Sequence, residues 1–225
     1  MRATNEMLDR VEAGFAHQRR FTANAAHELR TPLQLLAAGL EAIGADPTIE
    51  PLREDVNRMS RLVGQLLAVA RLDVRTEPVS GTADLAKTAA ETLAFLAPLT
   101  VGHNVSLSLD RPPAPVTVRG DAALIGDLIR NLVENALAVS PAGAEVTVAV
   151  SADGRLDVID QGPGIATEYR ERVFERFWRA PGSPSGGSGL GPAIVKEIAD
   201  ICGATLRIAD AADGGALVSV DFVRL

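Results

Sequence analysis

A histidine followed directly by a glutamate, with a threonine one helical turn later, stands in the run FTANAAHELRTPL as His27, Glu28 and Thr31. A neutral imidazole is nucleophilic near pH 7, and an adjacent carboxylate can hold its tautomer or take the proton released when it attacks. Such a pair is suited to accepting a phosphoryl group. On a helix each residue advances about 100°, so His27 lies about 200° from Leu29 and about 180° from Leu36, and Thr31 shares its side. The imidazole therefore points away from the apolar positions, as an acceptor must. Pro32 removes one backbone hydrogen bond just beyond it and should bend or loosen the helix there. His17 and His103 have no such surroundings and read as surface residues.

Three later segments carry a second kind of chemistry. In NLVENA, Asn131 and Asn135 are four apart and share a helix face. An amide oxygen is a suitable hard ligand for magnesium, which normally arrives with nucleotide phosphates. In DQGPGI, Asp160 ends a strand and Gly162 and Gly164 follow. That turn lets backbone approach a flat ligand closely, and a carboxylate accepts well from the exocyclic amino group of adenine. In GSGLG, the glycines Gly187, Gly189 and Gly191 precede a helix whose free N–H groups and dipole favour phosphate.

The elements that must position these groups fall into two sets. From Asn5 to Gly44 only Pro32 interrupts a helical pattern, and Leu29, Leu33, Leu36, Leu40 and Ile43 step by four and three as a heptad seam. After the connector Gly44–Pro51, a second helix repeats the seam with Leu52, Val56, Met59, Val63, Leu66 and Ala70. A lone hairpin has too small a core, so pairing of two copies into a four-helix bundle is expected. The stretch Arg75–Thr82 breaks the periodicity and marks a domain boundary. Beyond it the pattern predicts helices at Leu85–Leu96, Ala122–Val139 (capped by Asp121) and Leu190–Cys202. Strands are predicted at Val105–Leu109, Val116–Arg119, Glu145–Val150, Leu156–Ile159, Thr205–Ala209 and Ala216–Val223, the last two joined by the hairpin signal ADGG. Together they describe an α+β chain, a helical hairpin followed by a two-layer α/β sandwich.

Composition narrows the possibilities. Across 225 residues, 22 basic and 29 acidic side chains leave a net charge of -7, which argues against a nonspecific nucleic-acid footprint and requires a local site for any polyanionic nucleotide. With 47% hydrophobic residues but only 4% aromatics, aliphatic and alanine packing must build the cores. The one cysteine, Cys202, rules out an intrachain disulfide and reads as a small core residue. No stretch approaches the roughly 20 apolar residues of a membrane span, and the N-terminal residues lack a signal peptide's apolar region.

The run around His27 resembles the H-box of the sensor histidine kinases, and the later segments, with FERFWR at Phe174–Arg179, resemble the N, G1, F and G2 boxes of the Bergerat-type ATP fold shared with DNA gyrase, MutL and the heat-shock chaperone ATPases. The resemblance implies ATP and Mg2+ as cofactors and His27 as the phosphorylated residue. It makes Glu28 the general base and Thr31 the residue that positions water when the phosphorylated partner is dephosphorylated. It implies Asn135 as the metal ligand with Asn131 beside it, and Asp160 as the adenine-recognising acid. Gly162, Gly164, Phe174, Phe177, Gly187, Gly189, Leu190 and Gly191 complete the nucleotide site, the last glycines hinging a lid at Ala180–Ser188. The implied organisation is the end of a HAMP-type linker at 1–14, a dimerisation and phosphotransfer domain at 15–75, a linker at 76–82 and a catalytic domain at 83–225. Implied partners are a second copy of the chain and the receiver domain of a response regulator. The implied setting is the cytoplasmic part of a bacterial membrane protein anchored by segments absent from this chain.

The alternatives are an ATPase of the same fold that only hydrolyses ATP, and a degenerate dimeric scaffold. Two departures from the family pattern stand out. Pro192 stands where leucine is usual, which the first turn of a helix accepts. Ala138 and Val139 stand where a basic and an aromatic or imidazole side chain are common, so one phosphate contact is expected to be missing.

Overall fold

The computed structural model describes residues 48–72, 81–181 and 188–225, together with Leu29, Pro32, Leu33, residues 35–40, Ala42, Ile43 and Asp46. His27, Glu28, Thr31, Gly187 and the predicted helix before Leu29 lie outside the described residues. The chain divides into two compact units, Met1–Thr76 and Glu77–Leu225.

In the first unit, helix α1 spans Glu50–Leu72 and has Glu50 in its first turn, where the helix dipole favours an acid. Pro51 beside it costs nothing, because the first amides have no partner within the helix. Before α1, the Thr48 amide donates to Asp46 at 2.8 Å and closes the connecting turn. That bond holds the Asp46 carboxyl below its ordinary range. The described residues from Leu29 to Ala42 are mostly helical and meet α1 through Leu33 and Val63, which are buried together. Arg53 donates to the Leu40 carbonyl at 2.8 Å across the same junction. Among the described side chains, every second step of each seam is buried within the chain, at Leu33 and Leu40 and at Val56 and Val63. The intervening steps, Leu29, Leu36 and Ile43 on one side and Leu52 and Met59 on the other, are each more than half exposed.

The second unit stacks helices on one face of a sheet. Its elements are β1 (Thr82–Asp84), α2 (Leu85–His103), β2 (Ser106–Asp110), β3 (Thr117–Arg119), α3 (Ala122–Val139), β4 (Glu145–Val150), β5 (Arg155–Ile159), α4 (Gly191–Cys202), β6 (Thr205–Asp210) and β7 (Ala216–Asp221), with two 3-10 turns at Thr167–Tyr169 and Arg172–Phe174. The five-stranded sheet runs β2-β4-β5-β7-β6, parallel between β2 and β4 and antiparallel elsewhere. Val146, Val148 and Val150 on β4, and Leu156 and Val158 on β5, are buried at alternate positions, as a half-covered sheet requires. Ile125, Leu128, Ile129, Ile194 and Ile198 supply the helical side of this core. Cys202 is buried at the end of α4. The polar face of the sheet is tied by Ser219 to Asp157 at 2.6 Å and Ser108 to Thr147 at 3.1 Å.

Several strand ends differ from the sequence-based elements by one or two residues, and two departures go further. Helix α2 continues through Pro98 to His103 instead of stopping at Leu96. Ala94, whose carbonyl loses its partner, and Pro98 itself are both exposed, so water can satisfy what the proline removes. The last residue of the expected linker, Thr82, already pairs with Arg119 as the first residue of β1. Three residues paired antiparallel with β3 are too few for a periodicity to reveal.

Asp84 makes this junction. Its Oδ1 accepts from the amides of Ala86 (3.1 Å) and Lys87 (3.2 Å) in the first turn of α2, and from Val116 (3.2 Å) beside β3. Asp84→Ala removes a helix cap and leaves three donors without their acceptor. The expected loss is about 2 kcal/mol, or about 4–8 °C in melting temperature for a unit of this size. Thermal denaturation of the full chain measures it, and a shift under about 1 °C would mean that water replaces the carboxylate at no cost.

Candidate functional site

Helix α3 carries the two asparagines. Asp121 caps it, Oδ1 accepting from the amides of Ala123 at 2.9 Å and Leu124 at 3.2 Å, and its apolar face, from Ile125 to Leu137, sits against the sheet. Asn131 is buried, and its Nδ2 donates to the Asp127 carbonyl at 2.8 Å, which removes the cost of hiding the amide. Asn135, one turn later, is exposed. The first residue of α4 meets both. A side chain at Gly191 would begin 3.1 Å from Asn135 Nδ2, 3.2 Å from Asn135 Oδ1 and 3.5 Å from Asn131 Oδ1. The structure thus brings Asn131, Asn135 and Gly191 together, the accessible amide of Asn135 lying beside the N-terminus of α4.

That N-terminus has no side-chain cap at Leu190, which is itself buried. Pro192 occupies the first turn, where the helix tolerates it. The Leu190 amide receives support from Ser188 Oγ at 3.1 Å. Gly189 has φ +69°, and a side chain there would begin 2.7 Å from the Phe177 carbonyl carbon. Its carbonyl accepts from the Phe177 amide at 2.9 Å. Phe177 is in turn held at φ +65°, a conformation that costs a bulky residue energy, and its ring is 66% exposed. Phe174 is half-buried. Arg176 donates to Glu197 Oε1 at 2.9 Å through Nε, which ties this segment to α4. Trp178 meets Tyr169 in a tilted contact, with 5.3 Å between ring centroids, and Arg172 lies 5.4 Å from the centre of its ring. A hydrogen bond to Glu168 raises the Tyr169 phenol above its ordinary value.

The acid lies at the other end of α3. Asp160 follows β5 directly and is only 8% exposed. Its Oδ1 accepts from Gly162 N at 2.8 Å and from Ala216 N at 3.1 Å. Its Oδ2 accepts from none of the described residues, so one oxygen is committed to backbone while the other can meet a ligand. Gly162 has no room for a side chain, which would begin 2.8 Å from Val139 Cγ2 and 3.0 Å from the Val139 carbonyl. Gly164, at φ +73°, is pressed toward Gly215.

The sequence expectation missed Gly215 and Ala216 as parts of this region. Val139 borders the Asp160 turn through Gly162, so the residue replacing an imidazole packs against the acid's loop. The one available signal for the hairpin was its doubled glycine, one more than a tight turn needs. Ala138 is exposed.

Known proteins match along both units. The family described as "Histidine kinase-, DNA gyrase B-, and HSP90-like ATPase" matches residues 120–225, and "His Kinase A (phospho-acceptor) domain" matches residues 17–75. The sensor protein QseC of Salmonella typhimurium is 35% identical over 95% of this chain and 49% of its own length. The chain therefore spans about half the length of the curated relatives it matches. Among solved structures, the mycobacterial sensor histidine kinase MprB is 30% identical with a TM-score of 0.55, covering 64% of this chain and 99% of that one. Full-length ShkA in complex with AMPPNP is 25% identical with a TM-score of 0.66, over 91% of this chain and 46% of that one. A phospho-acceptor helical segment followed by an ATPase-type α/β domain, matched along nearly the whole chain, places this protein in the sensor histidine kinase family.

Proposed function

We propose that the chain catalyses ATP-dependent autophosphorylation of His27 and passes the phosphoryl group to an aspartate on a response-regulator receiver domain. The observation that carries this reading is the division of labour at Asp160, with Oδ1 held by two amides and Oδ2 bonded to none of the described residues. Such a carboxylate suits the amino group of adenine. The AMPPNP bound by the ShkA relative supports an adenine nucleotide as that ligand.

The exposed Asn135 amide beside the uncapped N-terminus of α4 fits phosphate with an accompanying magnesium, whose usual coordination draws few protein ligands and several from phosphate and water. When bound, magnesium supplies charge neutralisation of the phosphates. Asn135 would hold it, and Asn131, already bonded to Asp127, keeps the neighbouring turn in place. An imidazole nitrogen of His27 attacks the γ-phosphorus, the bond to the ADP oxygen breaks, ADP leaves, and Glu28 takes the imidazole proton. Most of the acceleration comes from positioning and charge. Thr31 would orient water in the reverse task, dephosphorylation of the regulator. Residues 15–75 would serve as the acceptor and dimerisation domain and residues 83–225 as the catalytic domain, with residues 1–14 ending a HAMP-type linker. Membrane attachment would come through segments outside this chain. No helix among the described residues is long and apolar enough to cross a membrane.

Incubation with γ-labelled ATP tests the activity. Acid-labile label on the protein supports the kinase, free phosphate alone would indicate an ATPase, and neither would indicate a scaffold.

The half-used seams support a homodimer. Leu36 and Met59 are exposed at heptad steps next to buried Leu33 and Val63 and would be covered by the second copy's equivalents. Leu36→Glu combined with Met59→Glu places four charges in the bundle core of a dimer. Dimer association should weaken by at least about a hundredfold, since burying each unpaired charge costs several kcal/mol. Sedimentation equilibrium should find monomer. An unchanged dimer would place the interface on another face.

A further inference from the structure

Asp160 and Ala216 stand opposite each other one step beyond the β5–β7 pair Ile159 and Leu217, so the end of the β6–β7 turn is brought against Asp160 although 56 residues separate Ala216 from it in sequence; that ladder accounts for a backbone bond but not for one to the carboxylate. Ala216 meets Asp160 at two points: its carbonyl accepts from the Asp160 amide at 3.0 Å, and its amide donates to Oδ1 at 3.1 Å. Gly215 adopts φ +93°, and a side chain there would begin 2.0 Å from the Asp160 carbonyl oxygen and 2.9 Å from Oδ1. Backbone oxygen cannot yield as a flexible side chain can. The neighbouring Gly214 has a similar φ of +88°, yet a side chain on it would meet nothing within 4 Å. The two glycines therefore share a positive φ and differ in what a side chain on each would touch.

A carboxylate selects its ligand by which oxygen faces it and at what angle. With Oδ1 clamped between Gly162 and Ala216, the remaining oxygen has one direction left. Purines with an amino group at position 6 offer it a donor, whereas 6-oxo purines set an oxygen against it.

We propose that Gly215 and the backbone amide of Ala216 are positioning groups for base selection, fixing the Asp160 carboxylate so that it accepts from a 6-amino purine nucleotide and rejects a 6-oxo one. This rests on Asp160 being the base-recognising acid, and it adds a part of the molecule that the adenine turn itself does not contain.

The test compares ATP with inosine triphosphate, which differs at position 6, by calorimetric titration of the full chain. The parent chain should favour ATP by tenfold or more, about the value of one well-formed bond to a charged group. Gly215→Ala should reduce that preference by about tenfold. Gly214→Ala, with the same backbone strain but no neighbour, should lower the melting temperature and leave the preference within about twofold. Should Gly215→Ala fail to fold, incorporation of lactic acid in place of Ala216 exchanges one amide for an ester, which deletes the N–H that Asp160 accepts from and otherwise only weakens the Gly215 carbonyl as acceptor for Ala211. The preference should fall by about fivefold or more.

Retention of the parent preference in the ester variant, or equal preference in the Gly215 and Gly214 variants, would overturn the proposal and leave the turn a merely structural one. A parent chain that binds both nucleotides equally would instead overturn the assignment of Asp160 on which it rests.

Discussion

Asp160→Asn is expected to weaken ATP binding by at least about a hundredfold while leaving the fold nearly as stable as before. The argument turns on which way the new amide must face. Gly162 and Ala216 both present N–H groups to the position of Oδ1, at 2.8 and 3.1 Å. An asparagine can satisfy them only by placing its carbonyl oxygen there, because the reverse orientation would set its NH2 against two donors. Its NH2 then occupies the position of Oδ2 and confronts the amino group of adenine as donor against donor. The loss is the charge-assisted bond, about 1.5–3 kcal/mol, together with the desolvated, unmatched donors, so about 3 kcal/mol in all is a fair expectation. Since both amides keep their acceptor, the melting temperature should move little. The variant should bind inosine triphosphate at least as well as ATP, since its NH2 can donate to a 6-oxo group. Calorimetric titration reads all of this, and an ATP affinity within about threefold of the parent would remove Asp160 from base recognition.

The geometry behind that expectation was only partly legible in the sequence. A strand ending in an acid, with glycines following, marks a turn, and Glu145–Val150 and Ala122–Val139 were readable to the residue because alternation and an Asp121 cap are local signals. The Asn131 and Asn135 face was equally local. What Asn131 does with its amide was not, because the Asp127 carbonyl accepts it only in the folded helix. Ala216 was wholly hidden. Its contribution is a backbone amide brought to Asp160 by the order β5-β7-β6, and a main-chain donor leaves no mark on residue type. Arg176 shows the converse. By sequence it stands, with Arg179, between the Asp160 turn and the glycine cluster, where either cation could supply the charge missing at Ala138. In the fold it is held by Glu197, across α4, so a phosphate would have to compete with a carboxylate for it. The exposed half of the heptad seams is a third kind of signal, since Leu29 and Leu33 are alike in sequence and only packing within the chain separates them.

His27→Gln should eliminate acid-labile, base-stable phosphorylation altogether, a drop of at least about a thousandfold to background, while ATP binds as before. Glutamine is polar, of similar reach and at home in a helix, so the acceptor helix should persist. Its amide nitrogen has no available lone pair at neutral pH, unlike the imidazole, and cannot form the phosphoramidate from which an aspartate is later phosphorylated. The residues assigned to the nucleotide, from Asn131 to Gly191, belong to the other compact unit, so titration with ATP should give the parent affinity. The pairing of the two results is what carries the assignment. Loss of label with loss of binding would signal damage to the fold, and persistent label at the parent rate would place the acceptor elsewhere. A mixture of His27→Gln with Asp160→Asn chains extends the same logic, because each supplies what the other lacks. If a dimer transfers between subunits, label should return and reside on the Asp160→Asn chain, whose own nucleotide site is disabled. If transfer stays within a subunit, the mixture should remain unlabelled even though every mixed dimer contains one intact histidine and one intact nucleotide site.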